Sequence, residues 1–352
     1  MTVRAMVLAA GYGSRLRPLT AAIPKPLVPV ANRPLLWYIL SSLRVAGIRT
    51  VAINLHYHGE QIRQWLGRGE ALDIDVTYSE EAELLGSAGG VRRVRDFFGN
   101  DPALIVHGDL LFDVDLRDVI QYHLSRQAEV TLVLHPAHQR FKYGMIKVNP
   151  RGEIAQFVQQ QAPWVSGPLT EAVFTGVQIL DASVLDSIAA EQVSVLTTDV
   201  YPRLLTPSAR VFGYLMQGYW SDIGTPLRYW EANLDVLSGR MVPVGSLPAS
   251  QGAGGDYQGV PPETKGELSP SVAVGRGVSL GVHCDLGPQT VVGEECWLAD
   301  GVRITQSVLW PRAHVGARAT IERSIVMSDV VVPAGALLQG KIVSPSGITE
   351  LS

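Results

Sequence analysis

Over the first 240 or so residues, two hydrophobic rhythms take turns. Val3 to Leu8, Thr50 to Leu55, Pro102 to His107 and Glu129 to Leu134 are short apolar runs, which predicts buried strands. Pro34 to Ala46 and Gly59 to Leu66 carry apolar residues at helical spacing, and Gly47 offers a helix stop. Asp73 to Tyr78 alternates as a half-buried strand does. Further on, Met145 to Val148 and Glu153 to Val158 flank the turn Asn149-Pro150-Arg151-Gly152, which predicts a hairpin. Ala172 to Leu180 reads as a strand and Asp199 to Leu205 as a helix. Arg210 to Tyr214 with Gly218 to Trp220 reads as a second hairpin, and Pro226 to Leu237 as a helix with proline at its start. Strand and helix in alternation predict an α/β fold with a Rossmann-like, mostly parallel sheet.

From Val272 the period changes to six. Val272, Val278, Cys284, Thr290, Cys296 and Val302 share one phase, and Val274, Leu280, Leu286, Val292, Leu298 and Ile304 another. Gly275, Gly281, Gly287 and Gly293 fall at the corners. This is the hexapeptide pattern of a left-handed parallel β-helix. The rhythm then slips: Ile304 to Val308 recurs as Ile321 to Ile325, an offset of 17. Between the two patterns lies a stretch rich in Gly, Pro, Ser and Gln. The resulting division is a domain over 1–240, a linker over 241–267 and a β-helix over 268–345.

Composition narrows the partners. The chain has 352 residues and a formal net charge of −4, so no basic nucleic-acid or membrane surface is implied. Apolar runs are strand-sized and no secretory leader is visible, so the expectation is a cytoplasmic protein with no membrane segment. Two cysteines, Cys284 and Cys296, support neither a disulfide framework nor a zinc site and read as buried thiols.

The chemistry concentrates in Leu8 to Pro26. A predicted strand is followed by Ala10, Gly11, Gly13, Ser14 and Arg15, and then by Lys25 between two prolines. Small residues let backbone N–H groups approach a polyphosphate. Arg15 offers a fork for phosphate oxygens, and Lys25 an ammonium on a stiff backbone. A dinucleotide fingerprint is excluded because its third glycine is Leu16, and a P-loop because no Gly-Lys-Ser/Thr follows. Two more segments fit a crevice at strand ends. Gly86, Ala88 and Gly89, in Leu-Gly-Ser-Ala-Gly, suit a base pocket read by main-chain groups. Asp109 closes the strand ending at His107 and so faces the ligand side of an open sheet.

The run Gly-x-Gly-Ser-Arg-Leu-x-Pro-Leu-Thr, the Pro-Lys-Pro after it, and Trp220-Ser-Asp222-Ile-Gly-Thr-Pro226 together resemble the signatures of sugar-phosphate nucleotidyltransferases. With the β-helix included, the resemblance covers nearly the whole chain and is closest to the mannose-1-phosphate guanylyltransferase kind. It implies Mg²⁺ on Asp109 and Asp222, a nucleoside triphosphate and a sugar 1-phosphate as partners, and Arg15, Lys25 and Asp109 as catalytic residues. It also implies sugar contacts from Gly144, Thr175 and Gly176. Where the family reads Phe-Val-Glu-Lys-Pro, this chain has Gln159 and Gln160 in place of the acid and the lysine. Glutamine can hydrogen-bond a sugar but cannot neutralise its phosphate.

The implied reaction is nucleotidyl transfer, most readily with GTP and mannose 1-phosphate. Adenylyl-, uridylyl- or thymidylyltransferases of glucose 1-phosphate share every metal and phosphate residue. The two glutamines keep open a regulatory subunit that senses nucleotide-sugar, and His283 or His314 would be needed for an acyltransferase in the β-helix. The β-helix further implies a homo-oligomer.

Overall fold

The computed structural model describes residues 3–136, 145–242 and 271–352. The linker expected over 241–267 lies, from 243 onward, outside the described residues. The chain divides into two compact units, one of Met1–Tyr12 with Ile39–Asp222 and one of Gly13–Tyr38 with Ile223–Ser352.

The first unit is built on a ten-stranded sheet. Its parallel half runs β3–β2–β1–β4, with β1 Arg4–Leu8, β2 Thr50–Leu55, β3 Asp75–Glu80 and β4 Ala103–His107. Both faces of β1 are covered, so its inner residues Ala5, Met6 and Val7 are wholly buried, as an unbroken apolar run requires. Beyond β4 the sheet turns antiparallel. The short β5, Leu110–Phe112, leaves it, while β6 Val130–Pro136, β7 Met145–Val148, β8 Ile154–Phe157, β9 Gln160–Gln161 and β10 Thr170–Leu180 continue it. β10 pairs antiparallel with β4, β6 and β7. The predicted hairpin of β7 and β8 is present.

The second predicted hairpin is not. β11, Val211–Leu215, pairs parallel with β6, whereas β12, Trp220–Asp222, crosses to pair antiparallel with β5. Alternation along a strand reports which face is buried, not which strand lies beside it. That crossing matters for the site, because it carries Asp222 to Leu110.

The second unit contains three ladders of parallel strands, the three faces of the expected left-handed β-helix. One face stacks Val272–Val274, Thr290–Val292, Val308–Leu309, Ile325–Val326 and Lys341–Ser344, and Gly347–Glu350 folds back antiparallel on the last. Asp285 pairs with Arg303, then Arg303 with Thr320, so the repeat shortens after its first coil. The slip falls at one corner, where Gln289, Gln306 and Arg323 take left-handed φ of 56°, 46° and 46°. Cys284 and Cys296 are buried inside, as expected, and burial pushes the Cys296 thiol up to about 11.

Helix Pro226–Leu237 and the paired two-residue strands Pro29–Val30 and Arg33–Pro34 belong to this unit rather than to the first. Specific hydrogen bonds explain it. Asn233 Oδ1 accepts from Ala31 N at 2.8 Å, and Trp230 Nε1 donates to Gln306 O at 2.6 Å. Among the described residues, no helix is long and apolar enough to cross a membrane.

Candidate active site

Of the phosphate-loop motif, Ala10 and Gly11 fall in the first unit, and Gly13, Ser14, Arg15 and Lys25 in the second. Ala10 is buried and Gly11 exposed at the end of β1. Open space surrounds the position a Cβ would take on Gly11, so a ligand can lie against its backbone. Gly13 is required for a different reason. Its φ is +61°, and a Cβ there would come within 3.1 Å of Thr20 Cγ2 and 3.2 Å of Lys25 Cβ. Thr20 Oγ1 donates to Gly13 O at 2.8 Å and fixes the turn. Ser14–Leu16 is one turn of 3-10 helix, pinned by buried Leu16 and leaving Arg15 exposed. Lys25 opens a second such turn after an extended Pro24, and it is only 9% exposed. The two cations thus differ: one stands in solvent, the other on a rigid, covered backbone.

The base-pocket segment begins helix α1, Gly86–Arg93. Gly86 has φ +74° and lies against Ser194, so no other residue fits. The N–H groups of Ala88 and Gly89 both donate to Ser194 O, at 2.9 and 3.3 Å. Those bonds occupy the Ala88 and Gly89 N–H groups, and Leu84 to Ser87 beside them are half-exposed.

Of the sugar-side residues, Gly144 lies outside the described residues. Gln159 and Gln160 are exposed, just past the Val158 turn, with Gln160 opposite Phe157. Thr175 and Gly176 form an irregularity in β10, where the register against β6 shifts. The Thr175 hydroxyl donates to Val133 O at 2.8 Å and its carbonyl accepts from Trp220 Nε1 at 2.9 Å. Its hydroxyl therefore braces the sheet and its backbone carbonyl holds β12. Gly176, at φ +86°, leaves room for the His107 ring, which a Cβ would approach to 3.0 Å.

Strand register places Asp222 close to the backbone next to Asp109. Asp222 stands opposite Leu110, so Asp109 is one residue from direct opposition to it. Asp222 is 8% exposed and Asp109 half-buried. Carboxylates are hard oxygen donors. No cluster of three or more metal-ligating residues occurs among the described residues.

Two buried polar residues at these strand ends carry no motif and escaped sequence reasoning. Asn54 is the penultimate residue of β2 and Glu81 follows β3; both are 4% exposed. Half-buried Asp113 accepts from Tyr219 N at 2.7 Å and ties β5 to the approach of β12. Burial raises its pKa, against the lowering effect of that N–H. Asp115 does cap the following helix, accepting from Arg117 N at 2.9 Å. A polar residue where an apolar strand ends was the available signal for Asn54 and Glu81.

An open α/β sheet with a glycine loop and two aspartates near its strand ends is an arrangement suited to nucleotide binding. The nucleotidyl transferase family model matches residues 4–239, and one described as the GMPPB C-terminal domain matches 268–349. The chain is 30% identical over 322 residues to a mannose-1-phosphate guanylyltransferase of Mycobacterium tuberculosis, covering 91% of this chain and 83% of that one. It is 29% identical over 348 residues to a UTP–glucose-1-phosphate uridylyltransferase of Synechocystis, covering 94% and 88%. A crystal structure of a putative glucose-1-phosphate thymidylyltransferase from Bacillus anthracis shares the fold, with a TM-score of 0.56 at 22% identity over 66% of this chain and 94% of that one. The chain belongs to the nucleotidyl transferase family. Within it, the chain is a sugar-phosphate nucleotidyltransferase, similar to mannose-1-phosphate guanylyltransferases.

Proposed function

We propose that the chain makes a nucleotide-sugar and pyrophosphate from GTP and mannose 1-phosphate, with Mg²⁺ held by Asp109 and Asp222. The observation that supports the chemistry is the β5–β12 register, which pairs Asp222 with the residue next to Asp109 at the strand ends. The match of the C-terminal region and the similarity to guanylyltransferases support the choice of base and sugar.

In this reading the acceptor phosphate is already ionised near neutral pH, so the protein needs no Ser, Cys or His nucleophile. Its residues position and neutralise. Open backbone at Gly11, together with Gly13 and Ser14, receives the polyphosphate. Arg15 binds the departing pyrophosphate, and Lys25 steadies the α-phosphate as charge builds there. Bound Mg²⁺ supplies further positive charge to the reacting phosphate oxygens. Gln159 and Gln160 hydrogen-bond the sugar without offsetting its phosphate.

The test is pyrophosphate release with Mg²⁺, across the common nucleoside triphosphates and a panel of hexose 1-phosphates. Release fastest with GTP and mannose 1-phosphate is the expected result. Faster release with another pair overturns the substrate choice. Nucleotide binding with no release from any pair overturns the catalytic reading and favours a sensing role.

A further inference from the structure

Three loop ends of the first unit meet at one buried pair of side chains. Asn54 Oδ1 accepts from Ala9 N at 2.7 Å, where the phosphate loop leaves β1. Asn54 Nδ2 donates to Glu81 Oε1 at 2.7 Å, and Glu81 Oε2 accepts from Leu85 N at 3.0 Å, where the base-pocket segment enters α1. The amide orientation of Asn54 follows from chemistry, because only its oxygen can face the Ala9 N–H and only its nitrogen can face a carboxylate. Gly90 of α1 closes over the pair: a Cβ there would lie 2.8 Å from Glu81 Oε1 and 3.2 Å from Asn54 Nδ2.

The same strand ends hold the loop a second time. His56 Nδ1 meets Glu81 O at 2.8 Å, and His56 Nε2 meets Tyr12 OH at 3.0 Å. A carbonyl can only accept, so Nδ1 carries the proton, and in the neutral ring Tyr12 donates to Nε2. Tyr12 is the residue between the two glycines of the phosphate loop.

Glu81 is buried, yet it forms no ion pair among the described residues. Burying a carboxylate with N–H partners alone is costly and is not a route to extra stability. What it does provide is two acceptors in fixed directions, one toward each nucleotide-binding segment. We infer that Asn54 and Glu81 are positioning residues that set the polyphosphate-binding end of β1 against the base-pocket segment, and so fix the distance between the two halves of the bound nucleotide. The inference rests on the nucleotide-site reading above.

Donor and acceptor polarity supplies a stringent test. Asn54→Asp puts two carboxylates at hydrogen-bond distance. Glu81→Gln leaves one acceptor where two N–H groups need one each. Combined, N54D/E81Q restores every bond: the carboxylate introduced on β2 accepts from Ala9 N and from the new amide after β3, whose oxygen accepts from Leu85 N. The double variant also keeps the single negative charge.

Each single variant is expected to raise the KM for the nucleoside triphosphate on the order of tenfold or more, the scale of a lost charge-assisted hydrogen bond, while the KM for the sugar 1-phosphate moves less than about twofold. The double variant is expected to recover most of that loss. Binding of a fluorescent guanine nucleotide, measured without the acceptor, should follow the same pattern. This separates the inference from the reaction itself, because binding can be read whether or not turnover is found. Gly90→Ala, which presses a methyl group on the pair and removes no donor, should weaken nucleotide binding in a protein of unchanged secondary structure. Wild-type nucleotide affinity in folded single variants, or a double variant no better than the worse single, overturns the inference. So does an equal rise in both KM values.

Discussion

Inside the β-helix, like is stacked on like. Val274 lies beside Val292, then Leu309, Val326 and Val343 follow in register, all nearly or fully buried. At the ends of β1, β2 and β3, by contrast, the buried groups are polar, each with a different partner: Ala9 with Asn54, Asn54 with Glu81, Glu81 with Leu85. The ladder interior is non-directional, so neighbouring coils can exchange apolar residues at modest cost. The strand-end network is directional, and exchanging one partner leaves another buried group without its bond. One region is therefore built for persistence and the other for placement.

The largest effect that follows is at the carboxylates. Asp109→Asn keeps the size of the side chain but removes its charge and turns one acceptor oxygen into a donor. Turnover should fall by at least about a thousandfold, the scale of losing a main electrostatic group at a reacting phosphate, with melting temperature nearly unchanged. Retained turnover would show that the pair is structural, and the contrast between the two regions would lose its functional side.

The reverse pattern is expected in the ladder. Ile304 is fully buried between Leu286 and Ile321. Ile304→Ala should cost about 2–5 kcal/mol in denaturant unfolding of the β-helix, through lost burial and a cavity. Turnover per folded molecule should stay within about twofold. A large drop in kcat with intact stability would mean that the ladder core also places catalytic groups.

The same difference explains what could be seen in the sequence. A repeat writes its structure many times over, so the six-residue rhythm and the slip to 17 located the coils and their irregular corner. The glycine loop and the two aspartates could be read because they resemble family signatures. Gly13, whose conformation excludes side chains, is where that reading has a local physical cause. Asn54 and Glu81 have no period and no motif. Their roles depend on β2 and β3 lying beside β1, which is long-range information. The β11–β12 misreading has the same origin, since partner choice is not written in a strand's own alternation. Thr175 shows a third kind of gap. A threonine beside a glycine in a crevice strand suits a ligand contact equally well, and only the Val133 and Trp220 hydrogen bonds assign it to bracing.

The smallest expected effect sits where the apolar coils of the second unit take on directional bonds. Tyr229 is fully buried; its hydroxyl donates to Pro29 O at 2.6 Å and accepts from Trp310 Nε1 at 2.8 Å. Burial pushes its pKa well up, so the hydroxyl stays protonated and able to donate. Through this one oxygen a β-helix tryptophan is linked to the strand that follows the Lys25–Leu27 turn. Tyr229→Phe removes both bonds and adds no bulk, and leaves a buried indole N–H and a carbonyl unsatisfied. About 1–3 kcal/mol of stability should be lost. Adding Trp310→Phe should then cost less than it does alone, because the indole N–H has already lost its acceptor. Additive losses would mean that the hydroxyl and the indole act independently. The Tyr229–Trp310 bond would then add nothing of its own, and the contrast between the apolar ladders and the strand ends would become sharper.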